Sequence, residues 1–142
     1  MRKAVITGLG IVSCIGNNKK EVIDSLRETK SGITFSEEFA EKGFRSQVWG
    51  KPSIDITEHI DRRERRFMGE GAAYNYIAMQ QAIVDSGLDA TEVSDEKTGL
   101  IMGSGGPSVI NLIDTADTAR NRGPKKVSPF MVPRTMSSTN SA

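Results

Sequence analysis

Clustered cations are the residues of this sequence best suited to binding chemistry. Arginines occupy positions 62, 63, 65 and 66 and are interrupted only by Glu64. On one helical turn Arg62, Arg63 and Arg66 lie on adjacent faces, where their guanidinium groups can bind carboxylates or a phosphate. Cations at the start of a long helix also oppose the helix dipole, which lowers the stability of the helix. This cost suggests that the cations have a binding function. The cluster predicts a site for an acidic partner, and a solvated charge run is the alternative.

A second basic cluster occupies the last part of the chain. Residues 118–142 carry five cations and no acid, although the net charge of the whole chain is only +1. These cations are Arg120, Arg122, Lys125, Lys126 and Arg134. Basic clusters on a near-neutral chain favour an acidic partner met at specific places. The aromatic content of 6% and the lack of a recognised nucleic-acid-binding motif argue against a nucleic acid.

Nucleophilic catalysis has few candidates in this sequence. Ser104 lies in a Gly-Ser-Gly-Gly run whose spacing differs from the G-x-S-x-G pattern of hydrolases, and His59 is the sole histidine available as a base. Cys14 lies in an apolar run with no adjacent cation, so we interpret it as a structural residue. No second ligand of suitable spacing accompanies His59, and we expect neither a metal nor a cofactor.

A nucleotide-binding domain is the alternative suggested by the glycine pair Gly8 and Gly10, which follows an apolar run. The dinucleotide fingerprint G-x-G-x-x-G requires a third glycine where this sequence has Ser13. We therefore interpret the pair as glycines of a tight turn under a packed helix. A titration with a nicotinamide cofactor would test the alternative.

Apolar periodicity predicts alternating strands and helices. Residues 3–7 and 98–102 are typical of buried strands, and helices are expected from Asn18 to about Ser31, over about 63–86 and over 109–120. Asn17 and Asn18 are candidate N-caps, with Glu21 in capping-box position relative to Asn18, and Gly87 is a candidate left-handed C-cap. The order favours an α/β fold with a parallel sheet. Two parallel strands are not a finished sheet, so the architecture is expected to be incomplete.

Composition sets the class of protein. A length of 142 residues suits one domain, and a hydrophobic content of 37% is that of a globular chain with few large core residues. The single cysteine excludes an internal disulfide framework and suits a reducing cytoplasm. No apolar stretch approaches the roughly 20 residues that span a bilayer, so we expect no membrane segment.

Several stretches taken together resemble the β-ketoacyl-[acyl-carrier-protein] synthases, the condensing enzymes of fatty acid synthesis. They are RKAVITGLGIVSCIGN at 2–17, DRRERRFM with the following helix at 61–84, GLIMGSGG at 99–106, and the run VSPFMVPRTMSSTNSA at 127–142. Each motif alone is weak, but their order and spacing are specific. The segments SGITF and RSQVWG and the Met-Ser-Ser near the end resemble the bacterial type I enzyme more than type II.

The resemblance implies a thiolase-like αβαβα sandwich, of which residues 1–142 would be the N-terminal portion of the first domain. It also implies a homodimer and an acyl carrier protein as partner. Arg62, Arg63 and Arg66 match positions that meet the carrier, and Lys125 and Lys126 lie near a second basic contact. Positions around the acyl-chain pocket at the dimer interface are matched by Gly106 and Met136.

The activity implied for the intact protein is the condensation of an acyl group with malonyl carrier protein, with loss of carbon dioxide. The family's nucleophilic cysteine, two histidines and lysine would all come after Ala142, and Cys14 lacks the Ser-Ala-Cys-Ala context of that nucleophile. We therefore expect no catalytic residue in this chain, and an isolated chain that is inert and poorly soluble. A non-catalytic module that docks the carrier protein is the alternative function.

Overall fold

The computed structural model describes residues 3–142, so Arg2 of the N-terminal stretch lies outside the described residues. The elements in chain order are α1 (Lys19–Arg27), β1 (Thr34–Phe35), α2 (Glu37–Glu41), β2 (Val48–Trp49), α3 (Arg62–Arg65), α4 (Glu70–Ser86), α5 (Ala90–Val93), α6 (Val109–Arg122) and α7 (Met131–Thr135). Two 3₁₀ segments follow α6 and α7, at Pro124–Lys126 and Ser137–Ser141. The chain forms two compact units: residues 3–55 with 78–88, and residues 56–77 with 89–142.

The first helix begins as its cap predicts. The side chain of Asn18 accepts a hydrogen bond from the Glu21 N–H at 3.0 Å, which satisfies one of the free donors of the first turn. The Glu21 carboxylate accepts from the Asn17 N–H at 2.7 Å rather than from the Asn18 N–H of a capping box. The helix ends at Arg27, earlier than Ser31, because Thr29 takes a left-handed φ of 52°.

Close backbone packing joins the N-terminal glycines to α4. A Cβ added at Gly8 would collide with the Ala82 carbonyl oxygen, and one added at Gly10 would collide with the Ala78 carbonyl oxygen. Only glycine permits the two backbones to approach this closely. The prediction that these glycines pack under a helix is confirmed, with α4 as the helix, but the structure has its turn later, at Cys14 and Ile15. Their role in packing disfavours a nucleotide-binding loop at this position.

Side chains of α4 hold the same segment through its backbone. Asp85 accepts from the Leu9 N–H at 3.0 Å and pairs with Lys19 Nζ at 2.9 Å. The Lys19 hydrogen bond and, next, the Leu9 hydrogen bond lower the pKa of Asp85 below its ordinary value. Gln81 bridges two further points, because it accepts from the Ile11 N–H at 3.1 Å and donates to the Asn17 carbonyl at 2.7 Å.

An aromatic cluster stabilises the small hairpin of the first unit. β1 and β2 pair antiparallel, with Thr34 opposite Trp49 and Phe35 opposite Val48. The Phe39 ring contacts the Phe44 ring at 5.2 Å and the Trp49 ring edge-on at 5.6 Å between centroids. Since Phe39 lies in α2 and Trp49 in β2, these rings pack the short helix against the hairpin.

The prediction of a parallel sheet is wrong for the described residues. Residues 3–7 and 98–102 form no strand, and the one sheet within residues 3–142 is the antiparallel β1–β2 pair. Ile6 is 90% exposed and Ile101 is 96% exposed. A strand buried on both faces needs hydrogen-bonded neighbours and covering layers, and the described residues supply neither to these two runs.

The second unit contains the first half of α4. Ala73 and Ile77 of α4 are buried, as is Ile60 before α3. Asn75 donates to Asn140 Oδ1 at 2.6 Å and to the Gly103 carbonyl at 3.4 Å, so it ties the glycine loop and the last 3₁₀ segment to α4.

The predicted C-terminal ends of the second and third helices agree closely with the structure. Gly87 follows α4 with a φ of +73°, as a left-handed C-cap requires. The helix predicted over 109–120 is α6, which extends to Arg122 before Gly123 at a φ of +88°. Among the helices of residues 3–142, none combines the length and the apolar character needed to cross a membrane.

Substitution of Gly10 by alanine tests the backbone packing on α4. We expect Gly10→Ala to lower the free energy of unfolding by about 1–3 kcal/mol, because the new methyl group meets a helix carbonyl that cannot move freely. Gly71→Ala is the matched control, since nothing lies within 4 Å of a Cβ there and alanine favours the helix by about 0.5–1 kcal/mol. Urea titrations measure both. A Gly10→Ala variant as stable as the parent would contradict the packing.

Candidate binding groove

A groove of about 910 Å³ lies within the second unit. We call it the arginine groove, because its cationic lining consists of Arg62, Arg63, Arg65, Arg66 and Arg134. Two carboxylates, those of Glu70 and Asp114, also line it. Its apolar lining consists of Ile56, Met68, Ile110 and Phe130. The four clustered arginines thus line one groove, and Arg134 joins them from α7.

The four clustered arginines occupy a helical turn of their own. Asp61 caps α3 by accepting from the Arg63 N–H at 2.7 Å, and the chain leaves the helix at Arg66. The prediction of one long helix from about residue 63 is therefore wrong. α4 begins separately at Glu70, an acid that its dipole favours, so the argument that these cations oppose the dipole of a long helix does not hold.

A glycine permits the break between these two helices. A Cβ at Gly69 would lie 3.0 Å from the Ser108 Cβ and 3.1 Å from the Arg134 carbonyl oxygen. Gly69 is also buried, so a larger residue would displace the elements that line the groove. The close approach brings Arg134 to the same surface as α3.

Arg66 is held by two aromatic rings. Its Cζ lies 4.8 Å from the ring centroids of both Phe67 and Phe130, and the two rings meet edge to face at 5.2 Å. The Arg66 carbonyl accepts from Arg134 Nε at 3.0 Å, which ties α7 to the end of α3. A guanidinium in contact with rings still has N–H groups that can donate to an anion.

The charge of the groove is not neutralised by its own residues. Within residues 3–142, none of the five groove arginines forms an ion pair. Arg62, Arg63 and Arg66 are exposed, whereas Arg65 and Arg134 are half-buried. Arg65 Nε is a buried donor with no hydrogen-bond partner among the described residues. The arrangement can bind an anion through several guanidinium groups at once.

The other predicted binding residues lie outside the groove lining. Lys125 and Lys126 are exposed in the 3₁₀ segment after α6. Gly106 is in an exposed loop, where its carbonyl accepts from Ser104 Oγ at 2.8 Å. Met136 is 50% exposed just before the last 3₁₀ segment. The structure does not test the roles predicted for these four residues.

Cys14 and His59, which were considered for catalysis or metal binding, belong to different compact units. Cys14 Sγ lies 2.9 Å from the position of a Cβ at Gly32 and 3.0 Å from one at Gly50, so it packs where small residues leave space. His59 is exposed in a turn. In the described part of the chain, no group of three or more His, Cys, Asp or Glu side chains is placed to hold a metal ion.

Sequence reasoning did not place Phe130, Asp114 or Arg134 beside the arginine cluster. Phe130 and Asp114 carried no signal that they lie beside α3, since that depends on how α6 and α7 pack. Arg134 was visible as one cation of the basic tail, but its sequence position is 68 residues from Arg66. Its proximity could be found only from the structure.

Comparison with known sequences identifies relatives along the whole chain. The family model described as Beta-ketoacyl synthase, N-terminal domain, matches residues 1–142. The chain is 48% identical to 3-oxoacyl-[acyl-carrier-protein] synthase 1 of Haemophilus influenzae and 49% identical to the protein of that name from Escherichia coli K12. All of the chain is covered in both matches, but it spans only 35% and 36% of the length of these relatives. Both carry the type I name that the sequence segments suggested.

Solved structures show the same fold. A beta-ketoacyl synthase from Burkholderia phymatum superposes with a TM-score of 0.80 at 23% identity, covering 99% of this chain and 35% of that one. A ketosynthase bound to the acyl carrier protein of a type II polyketide system superposes with a TM-score of 0.73 at 17% identity, covering 96% of this chain and 36% of that one. The chain has the fold of the corresponding third of these proteins.

A double-mutant cycle on Arg66 and Phe130 tests the geometry of the groove. We expect the unfolding free energies of Arg66→Gln, Phe130→Leu and the double variant to give a coupling of about 0.5–1 kcal/mol, because the guanidinium lies over the ring. A parallel cycle on Arg120 and Phe130 should give no coupling, since Arg120 pairs with Asp117 instead. Equal coupling in the two cycles would contradict the stacking.

Proposed function

Because the chain belongs to the beta-ketoacyl synthase family through its N-terminal domain, we propose that it is the N-terminal part of a 3-oxoacyl-[acyl-carrier-protein] synthase of fatty acid biosynthesis. The observation that carries the proposal is identity of 48–49%, along the whole chain, to two proteins of that name. In this proposal residues 1–142 form the first portion of a thiolase-like αβαβα sandwich. The exposed apolar runs at 3–7 and 98–102 would then be strands completed by the rest of the protein.

The proposed reaction of the whole protein is a decarboxylative condensation. A cysteine thiolate takes the acyl group from its carrier thioester and releases the carrier thiol. Malonyl carrier protein loses carbon dioxide, and the electron pair left on the malonyl carbon attacks the acyl-enzyme carbonyl. The new carbon–carbon bond expels the cysteine thiolate. Donors placed at the carbonyl oxygen stabilise the developing charge. In this proposal the nucleophile and its histidines lie outside this chain.

The contribution of this chain is proposed to be carrier recognition. Arg62, Arg63 and Arg66 are exposed, close together and free of ion pairs within the described residues, as a surface for carboxylates requires. Complementary charge raises the association rate and fixes the orientation of the partner. Stacking of Arg66 on two rings restricts its rotation, so less entropy is lost on binding.

Other proposed contacts lie elsewhere in the second unit. Lys125 and Lys126 would extend the carrier surface as a second basic contact. Gly106 and Met136 would line the acyl pocket at the interface of a homodimer, where an exposed methionine adapts to an irregular apolar tunnel. We propose that the enzyme works in the cytoplasm, without a cofactor and without nucleic-acid or membrane partners.

A non-catalytic docking module is the second candidate function. The observation that favours it is that the groove with its five arginines lies within one compact unit of the chain. Such a module would bind carrier protein through the same arginines and catalyse nothing by itself. The two candidates therefore share the docking surface and differ in chemistry.

Charge reversal on α3 tests carrier recognition. We expect the paired variant Arg62→Glu with Arg63→Glu to weaken binding of acyl carrier protein to the chain by about ten-fold or more, because attraction becomes repulsion. Arg45→Glu with Lys97→Glu is the control, since it makes the same charge change at two exposed positions outside the groove. Calorimetric titrations at low and high salt measure the affinities. An equal loss of carrier affinity in the two variants would show that only the net charge of the chain matters. That result would contradict the docking proposal.

A further inference from the structure

The arginine groove contains arginines and apolar residues that the proposed carrier docking does not use. We propose that it binds a soluble phosphomonoester bearing a short apolar chain. The residues proposed to dock the carrier, Arg62, Arg63 and Arg66, are exposed. Arg65 and Arg134 are half-buried, line the same groove and have no part in the proposed docking.

The charge of the groove favours a phosphate over a single carboxylate. Five guanidinium groups face two carboxylates, Glu70 and Asp114, and none of the five forms an ion pair among residues 3–142. A phosphomonoester carries a charge of about −1.5 to −2 and three acceptor oxygens, so one group can bind several guanidinium groups. A carboxylate would leave more of the positive charge unbalanced.

A buried donor points to a polar ligand atom. Arg65 Nε is buried and has no hydrogen-bond partner among the described residues. Buried donors in folded proteins are nearly always paired, so the missing partner shows that the Arg65 guanidinium is not committed to the protein at Nε. Arg134 has its Nε committed to the Arg66 carbonyl at 3.0 Å, which fixes the plane of its guanidinium while the terminal nitrogens stay available.

The apolar lining of the groove indicates that the phosphate carries an apolar chain. Ile56, Met68, Ile110 and Phe130 line the same groove as the arginines. Ile110 is 63% exposed, so apolar surface on α6 is uncovered. A volume of about 910 Å³ is within the range of small-molecule pockets, about 300–1,000 Å³. A phosphate with a short alkyl chain matches both the charged and the apolar lining.

Calorimetric titration of the chain with n-hexyl phosphate tests the proposal. We expect hexyl phosphate to bind at least about ten-fold more tightly than inorganic phosphate, because the chain buries apolar surface. Hexanoate, with a single charge, should also bind at least about ten-fold more weakly than hexyl phosphate. Equal affinity for hexyl phosphate and inorganic phosphate would overturn the proposal and indicate nonspecific attraction of anions.

Three variants separate the two parts of the groove. Arg65→Gln should weaken hexyl phosphate about ten-fold, and it removes no protein hydrogen bond of Arg65 Nε. Ile110→Ser should weaken hexyl phosphate but leave inorganic phosphate unchanged. Arg120→Gln is the control and should change neither, because Arg120 pairs with Asp117 outside the groove. Parent-like affinity in Arg65→Gln, with folding verified by circular dichroism, would overturn the assignment.

The inference does not depend on carrier binding. The affinity of the Arg62 and Arg63 variant for carrier protein tests the proposed function. The titrations with hexyl phosphate test the ligand site, and they need no carrier protein. A chain that binds hexyl phosphate as described but not carrier protein would support this site and defeat the docking proposal. The reverse result would support docking and defeat the site.

Discussion

The first unit of this chain depends on close packing between two glycines and the backbone of the second half of α4. Gly8 and Gly10 lie so near the Ala82 and Ala78 carbonyls that no side chain fits between them. Hydrogen bonds from Asp85 and Gln81 then fix the neighbouring backbone at Leu9 and Ile11. Such contact depends on glycine because any Cβ would separate the two backbones.

The first half of α4 has a different role in the second unit. Its Asn75 ties the glycine loop at Gly103 and the final 3₁₀ segment at Asn140 to the helix. The helix starts only at Glu70, so the arginines before it form a separate turn against α7. Repulsion among the arginines is offset by the rings under Arg66 but not by ion pairs within residues 3–142. The binding proposals rest on this imbalance.

Local signals in the sequence predicted local structure well. The Asn18 cap, the left-handed Gly87 and the helix after Ser108 are each set by a few neighbouring residues, and the structure confirms them. The arginine cluster was equally visible, because its members are adjacent in sequence.

What could not be predicted depends on contacts between distant segments. The apolar runs at 3–7 and 98–102 have strand-like composition, but strand pairing needs neighbours that the described residues do not provide. The break at Gly69 depends on Ser108 and Arg134, far along the chain, so periodicity alone suggested one continuous helix. For the same reason Arg134 and Phe130 were not assigned to the groove.

The central claim is that this chain is the N-terminal part of a condensing enzyme. The most direct test replaces the matching 36% of the Escherichia coli relative with residues 1–142 and measures carbon dioxide release from malonyl carrier protein with an acyl carrier substrate. We expect the chimera to condense at a rate within about ten-fold of its parent, because the identity of 49% preserves the joined surfaces. A chimera that folds and binds carrier protein but releases no carbon dioxide would contradict the claim and leave a docking module.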